Sequence, residues 1–185
     1  SEVTIAAFNG PKSLTLAGPR PSLEKIAEVL DADGVFARFV KVEHPFHHPL
    51  MRPASESIEE ALAEVVPRQE TVPFFSTVTG GRCAGLNCDP EHWGRGVRQP
   101  VQFAPAIDAM DDFGIDIWLE ISSHAALVHS LNECLSAREK EKKVVIASVR
   151  RERERESLLE AALELHNNAA ALDFEAMTPS RRQLS

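Results

Sequence analysis

The hydrophobic pattern changes from alternation to helical spacing within the first forty residues of the chain. Residues 3–8 predict a strand that Asn9-Gly10-Pro11 ends, and residues 13–17 predict its hairpin partner. A helix is expected from about Ser22, which is a plausible N-cap. Residues 35–42 predict another strand from their β-branched and aromatic content. This strand–strand–helix–strand order is most of a ferredoxin-like unit that lacks its first strand and helix.

The rest of the chain alternates between helical and strand patterns. Near-continuous apolar runs predict strands that are buried on both faces of a parallel sheet. The whole order therefore indicates α/β packing. The predicted elements are a helix from about Pro53 to Pro67, a strand at 72–78, a loop with Cys83, Cys88 and Trp93, a helix from Pro105 to Gly114, a strand at 115–121, a helix at 125–135, a strand at 144–149, a helix at about 156–170 and a loop-like tail at 172–185.

Composition and charge exclude several classes of protein. The 185 residues are 43% hydrophobic and 26% charged, as in globular proteins, and the net charge of −8 disfavours nucleic-acid binding. No apolar run is long enough to cross a membrane, and no signal peptide is visible. Three cysteines without a disulfide framework predict reduced thiols and a cytoplasmic protein. The chain opens on a strand pattern without methionine, so we expect a piece of a longer protein.

The densest chemical feature is a group of three histidines, His44, His47 and His48, interleaved with Pro45 and Pro49. Prolines stiffen this segment and exclude regular structure. The histidines could bind a metal, form an ordinary polar loop or present a general base. Spacing alone favours the polar loop.

A second group combines two thiols with an imidazole. Cys83, Cys88 and His92 could form a zinc set, but their spacing matches no known zinc finger. The sequence therefore predicts no metal site.

Several segments, in order, resemble the acyltransferase domains of type I polyketide synthases. HPFHHPLM resembles the His-Ala-Phe-His-Ser-Pro-Leu-Met run of the malonyl-type domains. Together with five further segments that resemble the family in the same order, this run covers nearly the whole chain. The other segments are VTIAAFNGPKSLTLAG, VPFFSTVTGG, HWGRGVRQPVQFAPAI, WLEISSHAAL and a post-acyltransferase linker that begins RRERERESLLEAALELHNN.

The resemblance implies a ping-pong transfer from an acyl-CoA to the phosphopantetheine thiol of an acyl carrier protein, with no covalently bound cofactor. His47 matches the catalytic histidine, and Gly96 matches the residue whose backbone carbonyl orients it. Phe46 matches the aromatic residue associated with malonyl rather than methylmalonyl choice, and His44 belongs with it in the substrate-binding group. Asn9 matches a residue near the acyl-CoA mouth, although a simple turn role explains it equally well.

The resemblance also implies the architecture and the partners. The expected fold class is α/β, with a partial ferredoxin-like small subdomain at 1–48, the C-terminal part of an α/β-hydrolase-like large subdomain at 49–140, and the last strand and helical linker at 141–185. The expected partners are malonyl-CoA, the acyl carrier protein, a neighbouring ketosynthase domain and the remainder of the acyltransferase domain.

The nucleophile of this chemistry is absent from the sequence. No Gly-x-Ser-x-Gly elbow occurs, and the arginine that follows it in the family is missing too. We therefore expect this chain to be inactive alone. The alternative is a non-catalytic ferredoxin-like or linker module that docks the carrier protein or neighbouring synthase domains.

Overall fold

Short two-stranded sheets and six α-helices make up the part of the chain that the computed structural model describes, residues 2–138, 143–168 and 170–173. The strands are β1 (Thr4–Gly10), β2 (Ser13–Ala17), β3 (Phe75–Ser76), β4 (Gly81–Arg82), β5 (Ile117–Glu120) and β6 (Val144–Ala147). The helices are α1 (Arg20–Ala32), α2 (Arg52–Ala61), α3 (Pro90–Arg98), α4 (Phe103–Asp112), α5 (Val128–Ser136) and α6 (Glu154–Asn167), with 3-10 helices at Pro49–Met51 and Gly85–Asn87.

The predicted hairpin is confirmed. β1 and β2 pair antiparallel, and Phe8 lies opposite Leu14. The other edge of β1 meets Val101 in a parallel bridge, where the Phe8 N–H donates to the Val101 carbonyl at 2.9 Å and the Val101 N–H donates to the Ala6 carbonyl at 2.8 Å. This bridge attaches the hairpin to the segment between α3 and α4.

The start of α1 and the strand predicted after it differ from expectation. α1 begins at Arg20, and Ser22 is not the N-cap, because its hydroxyl donates to the Glu2 carboxylate at 3.2 Å instead. Residues 35–42 form no strand. Gly34, at φ +70°, turns the chain out of the helix, and the Val35 N–H bonds back to Leu30. A strand requires a partner for its backbone, and no described strand pairs with this segment.

Helix α3 was missed by the sequence analysis, which expected a loop at Trp93. The helix has a clear start signal: Asp89 caps it by accepting the His92 N–H at 2.8 Å, and Pro90 occupies its first turn. The strand expected at 72–78 is correspondingly short, because only Phe75–Ser76 pairs with β4.

The C-terminal α/β pattern is confirmed in the described residues. β5 and β6 pair in parallel, with Ile117 opposite Val144. Their connection contains α5, which packs with α4 around a core of buried side chains. The core residues are Ile107, Trp118, Leu131 and Cys134. Residues 139–142, 169 and 174–185, which include most of the expected tail, lie outside the described residues.

Two broader expectations concern membrane-spanning helices and the limits of the subdomains. No helix in the described ranges is long and apolar enough to cross a bilayer. The subdomain limits at residues 48 and 140 stay predictions.

Glu120 joins the end of β5 to the start of α5. Its buried carboxylate accepts the backbone N–H groups of Ala126 at 2.8 Å, Leu127 at 3.1 Å and Val128 at 3.0 Å, and the Ser122 hydroxyl at 2.9 Å. Burial acts to raise the pKa of Glu120, but these hydrogen bonds outweigh it and lower the pKa. The carboxylate thus satisfies N–H groups that a helix start leaves unpaired.

Replacing Glu120 by Gln should lower the free energy of unfolding by about 2 kcal/mol. The side-chain NH₂ of Gln is a hydrogen-bond donor, and it would face backbone N–H groups that are donors too. The stabilisation by the wild-type carboxylate is present above the unfolded-state pKa and is lost as pH falls through the lower folded-state pKa. Urea unfolding at pH 7 and at pH 3.5 should therefore show a smaller acid loss for E120Q than for the wild type. Glu28→Gln, an exposed change on α1, is the control; an equal effect of both changes would contradict this role.

Candidate active site

The segment around His47 has an unusual backbone. His47 adopts φ +62°, a left-handed conformation that costs a residue with a Cβ about 1–2 kcal/mol. His48 is extended, at φ −124° and ψ 150°, as expected for a residue that precedes a proline. A strained backbone at a histidine is an indication of function.

His48 anchors this segment. Its ring is 6% exposed; Nε2 donates to the Glu2 carbonyl at 3.0 Å, and Nδ1 accepts the Leu50 N–H at 3.1 Å. These two contacts are compatible with one neutral tautomer, the one with its proton on Nε2. His48 therefore has a structural role, which the sequence analysis did not identify.

His47 is held by the C-terminal end of α3. Its N–H donates to the Val97 carbonyl at 2.8 Å, and its Nδ1 lies 3.1 Å from the Gln99 carbonyl. A carbonyl can only accept, so Nδ1 carries the proton and the neutral ring has its lone pair on Nε2. That tautomer is the one a general base needs.

The predicted role of Gly96 is corrected by this geometry. The carbonyl that contacts His47 belongs to Gln99, three residues further along the chain. Gln99 is extended, at φ −96° and ψ 156°, because Pro100 follows it. Its carbonyl therefore leaves the helix direction and meets the imidazole, whereas Gly96 lies inside α3.

A cavity of about 270 Å³ lies beside His47. Its walls are formed mainly by the end of α3 and the segment that follows β3. The lining residues are His47, Thr77, Val78, Trp93, Gly96, Gln99, Pro100 and Val101. His47 is thus brought together with Gly96 and Gln99 at one concave surface.

The predicted substrate-binding residues Phe46, His44 and Asn9 all lie outside the lining of this cavity. Phe46 is 48% exposed; its ring centroid is 6.1 Å from that of His44, edge-on, and 6.5 Å from that of His47. Asn9 lies in β1 and donates from Nδ2 to the Thr15 hydroxyl at 2.8 Å. The geometry of Asn9 favours the structural alternative, in which it supports the hairpin.

Helix α3 is positioned by contacts along its length. Ser55 on α2 donates to the Gly94 carbonyl at 2.8 Å and accepts the Arg98 Nε–H at 3.2 Å. Ser76 on β3 contacts the His92 Nε2 at 3.1 Å. These contacts set the place from which α3 presents its last carbonyls to His47.

The structure also brings together the three residues that the sequence analysis set aside as a zinc set. One ligand atom each from Cys83, Cys88 and His92 lie within 4.8 Å of one another. Burial, with the nearby Arg95 charge, lowers the pKa of His92, so its ring is neutral near pH 7.

Comparison with known proteins identifies relatives of the whole chain. Residues 1–172 match the acyl transferase domain family. The chain is 34% identical over 185 residues to the polyketide synthase GfsB of Streptomyces halstedii, and 32% identical over 180 residues to the spectinabilin polyketide synthase system protein NorA' of Streptomyces orinoci. These matches cover 99% and 97% of this chain but only 3% and 5% of those proteins.

Solved structures show the same fold. The acyltransferase domain from module 8 of the salinomycin polyketide synthase matches with a TM-score of 0.87 and 28% identity, over 94% of this chain and 41% of that one. The malonyl CoA-acyl carrier protein transacylase from Clostridium perfringens matches with a TM-score of 0.75 and 25% identity, over 91% of this chain and 52% of that one.

The left-handed backbone of His47 predicts an unusual order of stability. At an ordinary position glycine is less stable than alanine by about 0.5–1 kcal/mol, but at φ +62° alanine keeps the steric cost and glycine does not. We expect H47G to be more stable than H47A by about 1 kcal/mol in chemical denaturation. Phe46 lacks the positive φ, so F46A should be more stable than F46G. If the Ala variant were more stable than the Gly variant at both positions, the backbone of His47 would not be strained.

Proposed function

The chain belongs to the acyl transferase domain family found in type I polyketide synthases, and we propose that it supplies the general base of an acyltransferase. The reaction moves an acyl group from a CoA thioester to the phosphopantetheine thiol of an acyl carrier protein. The observation that carries this proposal is the contact between His47 Nδ1 and the Gln99 carbonyl, which leaves Nε2 as the proton acceptor.

The mechanism proceeds in two half-reactions. A serine supplied by the remainder of the acyltransferase domain gives its proton to His47 Nε2 and attacks the thioester; the C–O bond forms, the C–S bond breaks and the CoA thiolate leaves with that proton. The carrier thiol then gives its proton to His47 and attacks the ester. The new C–S bond forms as the C–O bond breaks, and the serine recovers its proton.

The nucleophile is assigned to another part of the enzyme for two reasons. No Gly-x-Ser-x-Gly elbow occurs in these 185 residues. The chain also spans only 3% and 5% of the two polyketide synthase proteins named above and 41% of the salinomycin domain. We therefore expect no acyl-enzyme and no transfer from this chain alone.

The surface offers a place for the remainder of the domain. Large apolar side chains are exposed shortly before and after the histidine segment in the sequence and directly after β5. Their exposed fractions are Phe36 85%, Val40 63%, Leu50 63% and Ile121 84%. The remainder of the acyltransferase domain is the partner that fits, since it must also bring the serine to His47.

The extender is proposed to be malonyl-CoA. The Phe46 ring lies beside His47, with 6.5 Å between ring centroids. A bulky ring at that place leaves little room for a methyl branch on the acyl α-carbon. Such steric discrimination against one methyl group is typically worth about 1–3 kcal/mol.

The role of His47 is tested in the polyketide synthase polypeptide that contains this sequence. His47→Ala should lower acyl transfer to the carrier protein by at least about 10²-fold, because general-base catalysis contributes about 10²–10⁴-fold. Intact-mass analysis of the acyl-enzyme and of the acylated carrier protein measures both half-reactions. His129→Ala, an exposed change on α5, is the matched control. Full activity of H47A would favour the non-catalytic docking alternative.

The role of Phe46 is tested by competition between two extenders. Phe46→Ser should raise the kcat/KM for methylmalonyl-CoA relative to malonyl-CoA by roughly 10-fold, since the smaller side chain admits the methyl group. The ratio is measured with both substrates present in one reaction. An unchanged ratio in an active F46S enzyme would contradict the assignment.

A further inference from the structure

Two thiols and an imidazole converge where β4 leads into α3. Cys83 follows β4 directly, Cys88 follows the 3-10 helix Gly85–Asn87, and His92 lies in the first turn of α3. Their candidate ligand atoms all lie within 4.8 Å of one another. No step of the proposed acyl transfer uses these residues.

The separation of the two sulfurs is that of two ligands on one ion. Cys83 Sγ and Cys88 Sγ are 3.8 Å apart, and both cysteines are free. Tetrahedral zinc with Zn–S bonds of about 2.3 Å sets neighbouring sulfurs about 3.8 Å apart. A disulfide would require a sulfur–sulfur distance of about 2.05 Å. The thiols thus stand at ligand spacing without backbone movement.

His92 is the third residue of this cluster. Its side chain is 1% exposed, and Ser76 Oγ contacts Nε2 at 3.1 Å. Nδ1 is buried and has no hydrogen-bond partner within the described part of the chain. Histidines that bind metals commonly use one ring nitrogen for the ion and hydrogen-bond through the other, so Ser76 would orient the ring.

The loop that holds the thiols is tightly built and negatively charged. The Gly85 N–H donates to the Glu70 carboxylate at 2.6 Å, and a Cβ at Gly85 would lie 2.2 Å from the Arg68 carbonyl. The Asp89 carboxylate accepts the His92 N–H at 2.8 Å, so two carboxylates adjoin the thiols. Their negative charge favours a cation at this place.

We propose that Cys83, Cys88 and His92 bind one zinc ion, with the fourth tetrahedral position open to water. Each thiol gives its proton to solvent as its sulfur bonds to the metal, and no oxidation state changes. The ion would tie β4 to the first turn of α3, the helix whose far end contacts His47. The zinc proposal does not rest on the proposed acyl transfer.

The test begins with the protein purified in reductant and stripped with a chelator. Titration with Zn²⁺ should reach one equivalent per chain and raise the melting temperature. Titration with Co²⁺ should produce thiolate-to-cobalt charge-transfer absorption and the strong d–d bands of tetrahedral coordination, both of which Zn²⁺ abolishes. These readouts do not depend on acyl transfer, so failure of one proposal leaves the other intact.

Variants identify the ligands. Cys88→Ser, at a half-buried position, should remove the charge-transfer band and weaken metal binding by more than about 10-fold, and Ser76→Ala should weaken it by about 10–100-fold. Cys134→Ala is the matched control, because this third cysteine packs in the core with Leu131 and Trp118. Circular dichroism establishes that each variant is folded.

Three results would overturn the proposal. One is a folded wild-type protein that gives no thiolate–cobalt band. Another is a band that survives in C88S. The third is a protein that, without reductant, is zinc-free and lighter by two hydrogens, because Cys83 and Cys88 would then form a disulfide.

Discussion

The geometry of the candidate active site depends on two hydrogen bonds between His47 and the C-terminal end of α3. The N–H of His47 satisfies the Val97 carbonyl, and its ring satisfies the Gln99 carbonyl. Helix ends leave such carbonyls without intrahelical partners and carry partial negative charge. The two hydrogen bonds therefore satisfy carbonyls at the end of the helix and fix the orientation of the imidazole.

The location of α3 is in turn set by contacts at its first turn and along its length. Asp89 caps the first turn, Ser76 contacts His92, and Ser55 on α2 reaches the Gly94 carbonyl. The proposed zinc ligands and the proposed base thus lie at opposite ends of one helix of nine residues. The contacts that place the first turn of α3 therefore belong to the same helix that presents its last carbonyls to His47.

Local sequence patterns predicted some helices and strands correctly and failed for others. The hairpin and the parallel strands β5 and β6 follow from turn residues and apolar runs that lie within a few positions of each other. The strand expected at 35–42 would need a partner strand. The residue types of a segment do not reveal whether such a partner is present. His47 was predicted to be the base because neighbouring motifs resemble a family, whereas its contact with Gln99 rather than Gly96 depends on where the chain leaves α3. That exit is set by Pro100, a signal that was present in the sequence.

The left-handed backbone explains how one residue can satisfy two carbonyls at once. At φ +62° both the N–H and the ring of His47 reach the end of α3. The two bonds of His48 to Glu2 and Leu50 hold the neighbouring backbone and offset that strain. The contacts of His47 come from the end of α3, those of His48 come from Glu2 and Leu50, and the Phe46 and Leu50 side chains are exposed. The backbone of the histidine segment is therefore held at two successive residues, and each residue uses a different part of the chain.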